Sequence, residues 1–486
     1  MSDGRYVLAT LSRLVTSRLI YRILVAVAII QVSQYIIADP ALADVFEVAN
    51  SASNIIMIGS EIGMSMVLMR YATQKKKEDL GKYYGTALAI ETLAWVILLV
   101  VCVGCYALFN GLTTLFWLLL ILAINQAVVQ YRVVVRSIYR SLYHKEQITY
   151  IEVLDGLSKV AGVWWITHYI TDVNQGTYWI AAWLTVTTIL FIGIYTLHSF
   201  TLVRPQLHTV WMKTMMFEGI WYSLQGVIMS IYFEIDKLVM RALQTLGWAN
   251  LADGDIARYG AASRIVIFFL IFHRIGLQII TPYLYGSFPN QLERYRKIVQ
   301  FSTRYMSAAG IGLGLGLIAL APETLQIIYA GKFQSSSAAL QLFGVFLIVR
   351  FIGITSSQVL ATTGKQPLRT RQEGYGVLLN ILLDVVLIPL FGFMGAAIAS
   401  LITELVMQSI FFVMTRRLIQ DHIGQSLVKI LPALLAGAVM YGVVWSIKDL
   451  TWLPITVGVG VLVYAAGLFA FRFFNRSDLK LLRRQA

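Results

Sequence analysis

Residues 258–285 read Arg258-Tyr-Gly-Ala-Ala-Ser-Arg264-Ile-Val-Ile-Phe-Phe-Leu-Ile-Phe-His273-Arg274-Ile-Gly276-Leu-Gln-Ile-Ile-Thr-Pro282-Tyr-Leu-Tyr285. The run is long enough to cross a bilayer, since about 20 residues at about 1.5 Å rise span about 30 Å of hydrocarbon. Yet it carries three arginines and a histidine. A charge at the centre of a lipid-facing helix costs at least about 2.5 to 3.5 kcal/mol on insertion scales, so such residues face a watery cavity, a partner helix or an anion. The stretch predicts a membrane helix with a working polar face.

Residues 46–71 form a twin of this stretch. Laid over it without a gap, Phe46 falls on Tyr259, Glu61 on Arg274, Ile62 on Ile275 and Gly63 on Gly276. Repeated halves are how many transporters are built, with the substrate site at the repeat interface. Glu61 and Arg274 are therefore expected to face each other across a pseudo-symmetry axis. The local alternative is that Glu61 pairs with Arg70.

Composition agrees with a membrane protein. The 486 residues are 58% hydrophobic and 13% charged, with a mean hydropathy of +0.71. A soluble chain has no interior large enough for that much apolar surface. Fourteen segments can span, at about 19–37, 45–69, 83–108, 112–131, 150–170, 177–198, 217–240, 257–286, 299–321, 337–362, 375–391, 395–415, 430–447 and 452–473. The fold class is thus an all-α polytopic membrane protein. Two pseudo-symmetric six-helix bundles, residues 1–203 and 204–418, are expected to precede two extra helices and a basic tail, 419–486.

Loop charges orient the map. With the N-terminus inside, the inner loops hold Lys75-Lys76-Lys77, Arg132, Arg136, Arg140, Arg294, Arg296, Lys297, Lys365, Arg369, Arg371, Arg416 and Arg417. The outer loops hold Asp39, Asp44, Asp172, Asp253 and Asp255, with Lys332 and Lys448 as their clear bases. Alternate loops differ almost completely in Lys and Arg, as the positive-inside rule requires. Most of the net charge of +14 then records orientation, and no nucleic-acid partner is implied.

Within the spans, Asp155 and Lys159 are four apart and Glu234 and Lys237 three apart, so each pair can neutralise itself on one helix face. Arg264, Arg274, Arg304 and Arg350 have no acidic residue three or four positions away. These four, with Arg22 and Lys159, are the candidate contacts for an anionic substrate. Arg264 and Arg274 stand about 15 Å apart along a helix, so they can edge one cavity but not grip one phosphate. Glu61, Glu91, Asp384 and Glu404 are candidate coupling or gating carboxylates. Cys102 and Cys105 read as small buried core residues, Gly312, Gly314 and Gly316 as a close-packing face, and His168 and His273 as satisfied structural residues. No nucleophile elbow, zinc spacing or His-Glu-x-x-His occurs in the chain, so neither catalysis, a metal nor a cofactor is expected.

Further signatures are Tyr232-Phe-Glu-Ile-Asp236-Lys237, Ala257-Arg-Tyr259-Gly-Ala-Ala-Ser-Arg264, Leu360-Ala-Thr-Thr-Gly364-Lys365, and Asn380 followed by Ile388-Pro389-Leu-Phe-Gly392 and Gly395-Ala-Ala-Ile-Ala. In this order they resemble the multidrug/oligosaccharidyl-lipid/polysaccharide exporter superfamily, and within it Wzx-type polysaccharide flippases. That resemblance implies a non-enzymatic carrier in the bacterial cytoplasmic membrane, both termini cytoplasmic. It implies transfer of an undecaprenyl-pyrophosphate-linked oligosaccharide, the repeat unit of O-antigen, capsule or exopolysaccharide, to the outer leaflet by alternating access. Membrane lipids, a polysaccharide polymerase and a chain-length regulator are the implied partners, and a monomer the implied state. A drug/cation antiporter, a peptidoglycan lipid-precursor flippase and a glycosyl enzyme of the membrane are the alternatives. The first expects an acidic cavity and the last a long outer loop.

Overall fold

The computed structural model describes residues 20–74, 79–141, 146–420 and 429–474. The Lys75-Lys76-Lys77 loop and both termini lie outside them. The described residues form helices α1 (Ile20–Ile36), α2 (Pro40–Ile58), α3 (Met64–Gln74), α4 (Leu80–Asn110), α5 (Thr114–Ser141), α6 (Glu146–Tyr169), α7 (Val173–Leu202) and α8 (Thr209–Thr245). They continue as α9 (Asp255–Ser287), α10 (Leu292–Ala319), α11 (Ala321–Tyr329), α12 (Ser337–Thr362), α13 (Gln366–Phe391), α14 (Phe393–Ile419), α15 (Leu431–Ile447) and α16 (Leu453–Ala470). The protein is an all-α, multi-pass membrane protein. Each of the fourteen expected segments coincides with a helix or a pair of successive helices. Nine described helices, or ten counting a bent pair, are long and apolar enough to cross on those grounds alone. The others are short, such as α1 and α15, or carry charges, such as α6 with Glu152, Asp155 and Lys159.

The chain divides into two compact units, Met1–Arg241 and Ala242–Ala486. The division falls inside α8. In unit one, α5 packs on α2, α3 and α7, and α7 on α6. Asp39 and Asp172, expected as outer-loop charges, cap helices: their carboxylates accept from the backbone amides of Leu42 at 3.1 Å and Asn174 at 3.0 Å. Arg132 and Arg136, expected in an inner loop, lie within α5 and turn toward acids of α6. Cys105 is exposed and Cys102 half-buried, so the expected burial fails. An apolar lipid-facing surface and an apolar core look alike in hydropathy.

In unit two, α12 is the central helix, packed on α9, α10 and α14; α15 packs on α10 and α16. A β-carbon at Gly314 would meet Ile348 and the Gly344 carbonyl, and one at Gly312 would meet Tyr464, while Gly316 faces open space. Two of the three glycines thus serve close packing, as expected of small residues between membrane helices. The tenth and eleventh helices bend by 76° at their junction, where Pro322 opens α11.

Candidate substrate-binding and coupling site

Unit two holds most of the basic candidates. Arg274, on α9, is exposed and makes no ion pair among the described residues. Arg350, on α12, donates from Nη1 to Oε2 of Glu404 on α14 at 2.9 Å. Glu404 is fully buried and its other oxygen accepts from Gln408 Nε2 at 2.5 Å. The Arg304 guanidinium lies over the Phe473 ring, 4.5 Å from its centroid, a cation–π placement. Arg264 is half-buried on α9. The four arginines without a local acid therefore part ways: one finds a carboxylate on another helix, one an aromatic face, and Arg274 remains available.

Next to Arg274, the buried His273 ring stands edge-on to Phe351, 5.9 Å between centroids. Its Nε2 meets no hydrogen-bond partner among the described residues. The expectation of a satisfied structural histidine is therefore half met. On α13, Asn380 and Asp384 share a face four residues apart, and both are fully buried. Neither polar atom of the Asn380 amide finds a partner among the described residues, and the same holds for Thr403 Oγ1 on α14. Asp384 was legible as an intramembrane carboxylate. Asn380 was noted only as part of a signature, although its spacing of four from Asp384 points to a shared face, and Thr403 was not singled out.

Unit one arranges its charges differently. Lys159 is buried and donates to Asp155 Oδ2 at 2.8 Å, as the spacing predicted. The same carboxylate accepts from the Tyr21 hydroxyl at 3.1 Å, and that hydroxyl accepts from Arg132 Nη1 at 2.7 Å. Arg136 pairs with Glu152. Lys159 is thus one part of a network joining α1, α5 and α6. Arg22, one residue beyond Tyr21, is exposed on α1. Glu91 is fully buried on α4 and accepts from Ser60 Oγ at 3.4 Å.

The Glu61 side chain lies outside the described residues, so its expected pairing with Arg274 stays a proposal. Arg70, the local alternative partner, has its Nη1 3.6 Å from Glu218 on α8. The backbone at this place is informative. The second span breaks: α2 ends at Ile58, a 3₁₀ turn covers Gly59–Glu61, Ile62 and Gly63 take φ of +38° and +66°, and α3 begins at Met64. A broken helix at membrane depth frees backbone groups that must find partners, and transporters use such breaks at their sites. A β-carbon on Gly219 of α8 would collide with the Ile62 carbonyl oxygen, so α8 presses directly on the break.

Farther along the same two helices, Glu234 accepts from Ser51 at 2.7 Å, Asn54 at 3.1 Å and Lys237 at 2.8 Å. Lys237 Nζ also lies 3.7 Å from Glu47. The Glu234–Lys237 pair was legible in the spacing. Its extension to α2 was not, because nothing in a sequence marks which two helices meet.

The same architecture is found in several solved membrane proteins. A lipid II flippase, MurJ, in an inward closed conformation, superposes with a TM-score of 0.74 over 94% of this chain and 98% of its own, at 15% identity. A multidrug-resistance MATE transporter in an inward-facing conformation matches at 0.66 over 81% and 94%, at 15% identity. A superfamily transporter from Pyrococcus furiosus, described as having a binding pocket of reverse polarity, matches at 0.62 over 85% and 95%, at 12% identity. No family model matches the sequence. A probable low-salt glycan biosynthesis flippase of Haloferax volcanii, Agl15, is 22% identical over 151 residues, 31% of this chain and 32% of that protein. The chain thus has the fold of these solved transporters.

Proposed function

We propose that the protein is a flippase that moves an undecaprenyl-pyrophosphate-linked oligosaccharide, an O-antigen, capsule or exopolysaccharide repeat unit, from the inner to the outer leaflet of a bacterial cytoplasmic membrane. The observation that carries this reading is Arg274, an exposed guanidinium on a membrane helix with no ion pair among the described residues. A pyrophosphate crossing hydrocarbon loses its hydration, and a guanidinium restores it with fork-shaped donors. Arg274 and Arg264 contact the head group at different depths. Arg350 and Arg304 add positive charge, while the lipid tail stays in the bilayer. Lys159, buried in its own network, supports α6 rather than meeting cargo. Both termini lie in the cytoplasm, and the carrier works as a monomer beside a polymerase and a chain-length regulator.

Coupling is assigned to Asp384 ahead of Glu61, Glu91 and Glu404. Asp384 shares a buried face with the unsatisfied amide of Asn380, an arrangement suited to a proton or sodium ion. This same observation favours the second reading, a cation-coupled drug antiporter. The structural likeness to MurJ favours a third, a peptidoglycan lipid-precursor flippase. Cells lacking the protein separate the three. Build-up of an unflipped lipid-linked repeat unit with intact peptidoglycan supports the first. Lysis with build-up of peptidoglycan precursor supports the third, and drug sensitivity alone the second.

A further inference from the structure

Unit one holds a small cavity between α5, α6 and α7 that the proposed transport leaves without a task. Arg132, Glu152, Asp155 and Tyr195 are its polar lining, with Phe191 and Ile192 among its apolar walls. It has room for about one particle the size of a water molecule. Tyr195 is 3% exposed, and its hydroxyl meets no partner among the described residues. The ring is held in place. It stacks on Tyr139 with 4.4 Å between centroids, and the Tyr139 hydroxyl donates to the Tyr195 carbonyl at 3.0 Å. A buried hydroxyl left without a partner is costly.

The charges around the cavity do not balance. Glu152 is taken by Arg136. Asp155 has to serve two cations, since its Oδ2 lies 2.8 Å from Lys159 Nζ and 3.6 Å from Arg132 Nη1. The described charged groups that line the cavity, or pair with one that does, are thus three cations and two carboxylates. One positive charge is left over on membrane helices, in a mostly buried setting where a net charge is expensive. Arg132 makes one hydrogen bond among the described residues, from Nη1 to the Tyr21 hydroxyl at 2.7 Å, and a guanidinium carries five N–H groups. It retains donors for a ligand.

Space, charge and donors together select that ligand. A cation would meet three fixed positive charges. A phosphate or carboxylate is too large for the space. A water would satisfy the Tyr195 hydroxyl but leave the charge. We propose that the cavity binds a monatomic monovalent anion of the chloride class, which accepts from the Tyr195 hydroxyl and the Arg132 guanidinium and neutralises the cluster joining α1, α5, α6 and α7. Asp155 Oδ1, which also has no partner among the described residues, repels an anion, so the contacts fall on Tyr195 and Arg132. Bound halide then stabilises the folded carrier by mass action. This site belongs to unit one and holds whatever cargo the arginines of unit two meet.

The test uses the purified full chain in nanodiscs, with sodium chloride replaced by sodium gluconate at constant ionic strength. The melting temperature is expected to rise by a few degrees as chloride replaces gluconate, along a single-site curve. Tyr195→Phe keeps the ring and removes an unpartnered hydroxyl, so in gluconate it should melt at or above the wild-type temperature. Its apparent chloride affinity should fall about tenfold or more, as expected for a lost hydrogen bond to a charged group. Crystals of the wild-type protein grown in bromide locate the ion without any variant, and the expected anomalous peak lies within hydrogen-bonding distance of the Tyr195 hydroxyl. Identical melting in chloride and gluconate would overturn the proposal and leave a cavity that holds water only. Equal chloride affinity in wild type and Tyr195→Phe, or bromide found only elsewhere, would overturn it as well.

Discussion

Arg350 on α12 donates to Glu404 on α14 across 2.9 Å, joining helices 54 positions apart in the interior of unit two. Sequence alone had put these residues in different roles, one for substrate and one for coupling. Together they form a buried pair. Removing one partner of such a pair strands a charge and typically costs about 3 to 5 kcal/mol. Glu404→Ala is expected to lower the melting temperature of the purified protein strongly. Arg350→Met with Glu404→Leu is expected to recover most of that loss while export stays impaired, which melting curves and a glycan export assay resolve.

Gly63 and Gly276 hold matching places in the twin stretches but are used in different ways. Gly63 takes φ +66° at a helix break, whereas Gly276 lies within continuous α9, where a β-carbon would meet the Met306 methyl and sulfur. The left-handed region costs a side chain about 1 to 2 kcal/mol, while the end of a methionine side chain can move aside. Gly63→Ala should therefore destabilise the protein more than Gly276→Ala. Thermal unfolding of the two variants under one set of conditions gives the order.

Arg274 and Lys159 were both candidate substrate contacts in the sequence, Lys159 with Asp155 four residues away and Arg274 with no local acid. Lys159 is buried against Asp155, so Lys159→Ala leaves a buried carboxylate with fewer partners and should cost stability first. Arg274 is exposed and has no ion pair among the described residues. Arg274→Ala should cut export severely at near-normal melting temperature, and Arg274→Lys should restore part of it, because a fork of donors becomes a point charge. The comparison needs export and melting measured on the same preparations.

The fold was legible because its signals are local. A span needs only composition, and an i,i+4 pair such as Asp155–Lys159 needs only spacing. What escaped depends on neighbours in space. Glu404 as the partner of Arg350, Phe473 beneath Arg304, and Arg132 beside Tyr21 all join residues far apart in the chain. Cys105 failed for a related reason, since hydropathy cannot tell lipid from core. The break at Ile62–Gly63 was marked by a glycine, but Gly276 shows that the same residue type also sits in a continuous helix. At His273 the sequence could not show what each ring nitrogen meets: Nδ1 bonds Leu270, and Nε2 meets no partner among the described residues.

The central claim is that this carrier moves a pyrophosphate-linked sugar through a site that uses Arg274. It is tested most directly in proteoliposomes holding a fluorescent lipid-pyrophosphate oligosaccharide, with wild-type or Arg274→Ala protein. A membrane potential is imposed without any pH or sodium gradient. Two uncompensated negative charges moving toward the positive side gain about 5 kcal/mol per 100 mV, at about 2.3 kcal/mol each. The account predicts that wild-type protein flips the lipid well above protein-free vesicles, that a potential positive on the receiving side speeds it, and that Arg274→Ala falls close to background. Wild-type flipping no faster than protein-free vesicles, or equal rates for the two proteins, would contradict it.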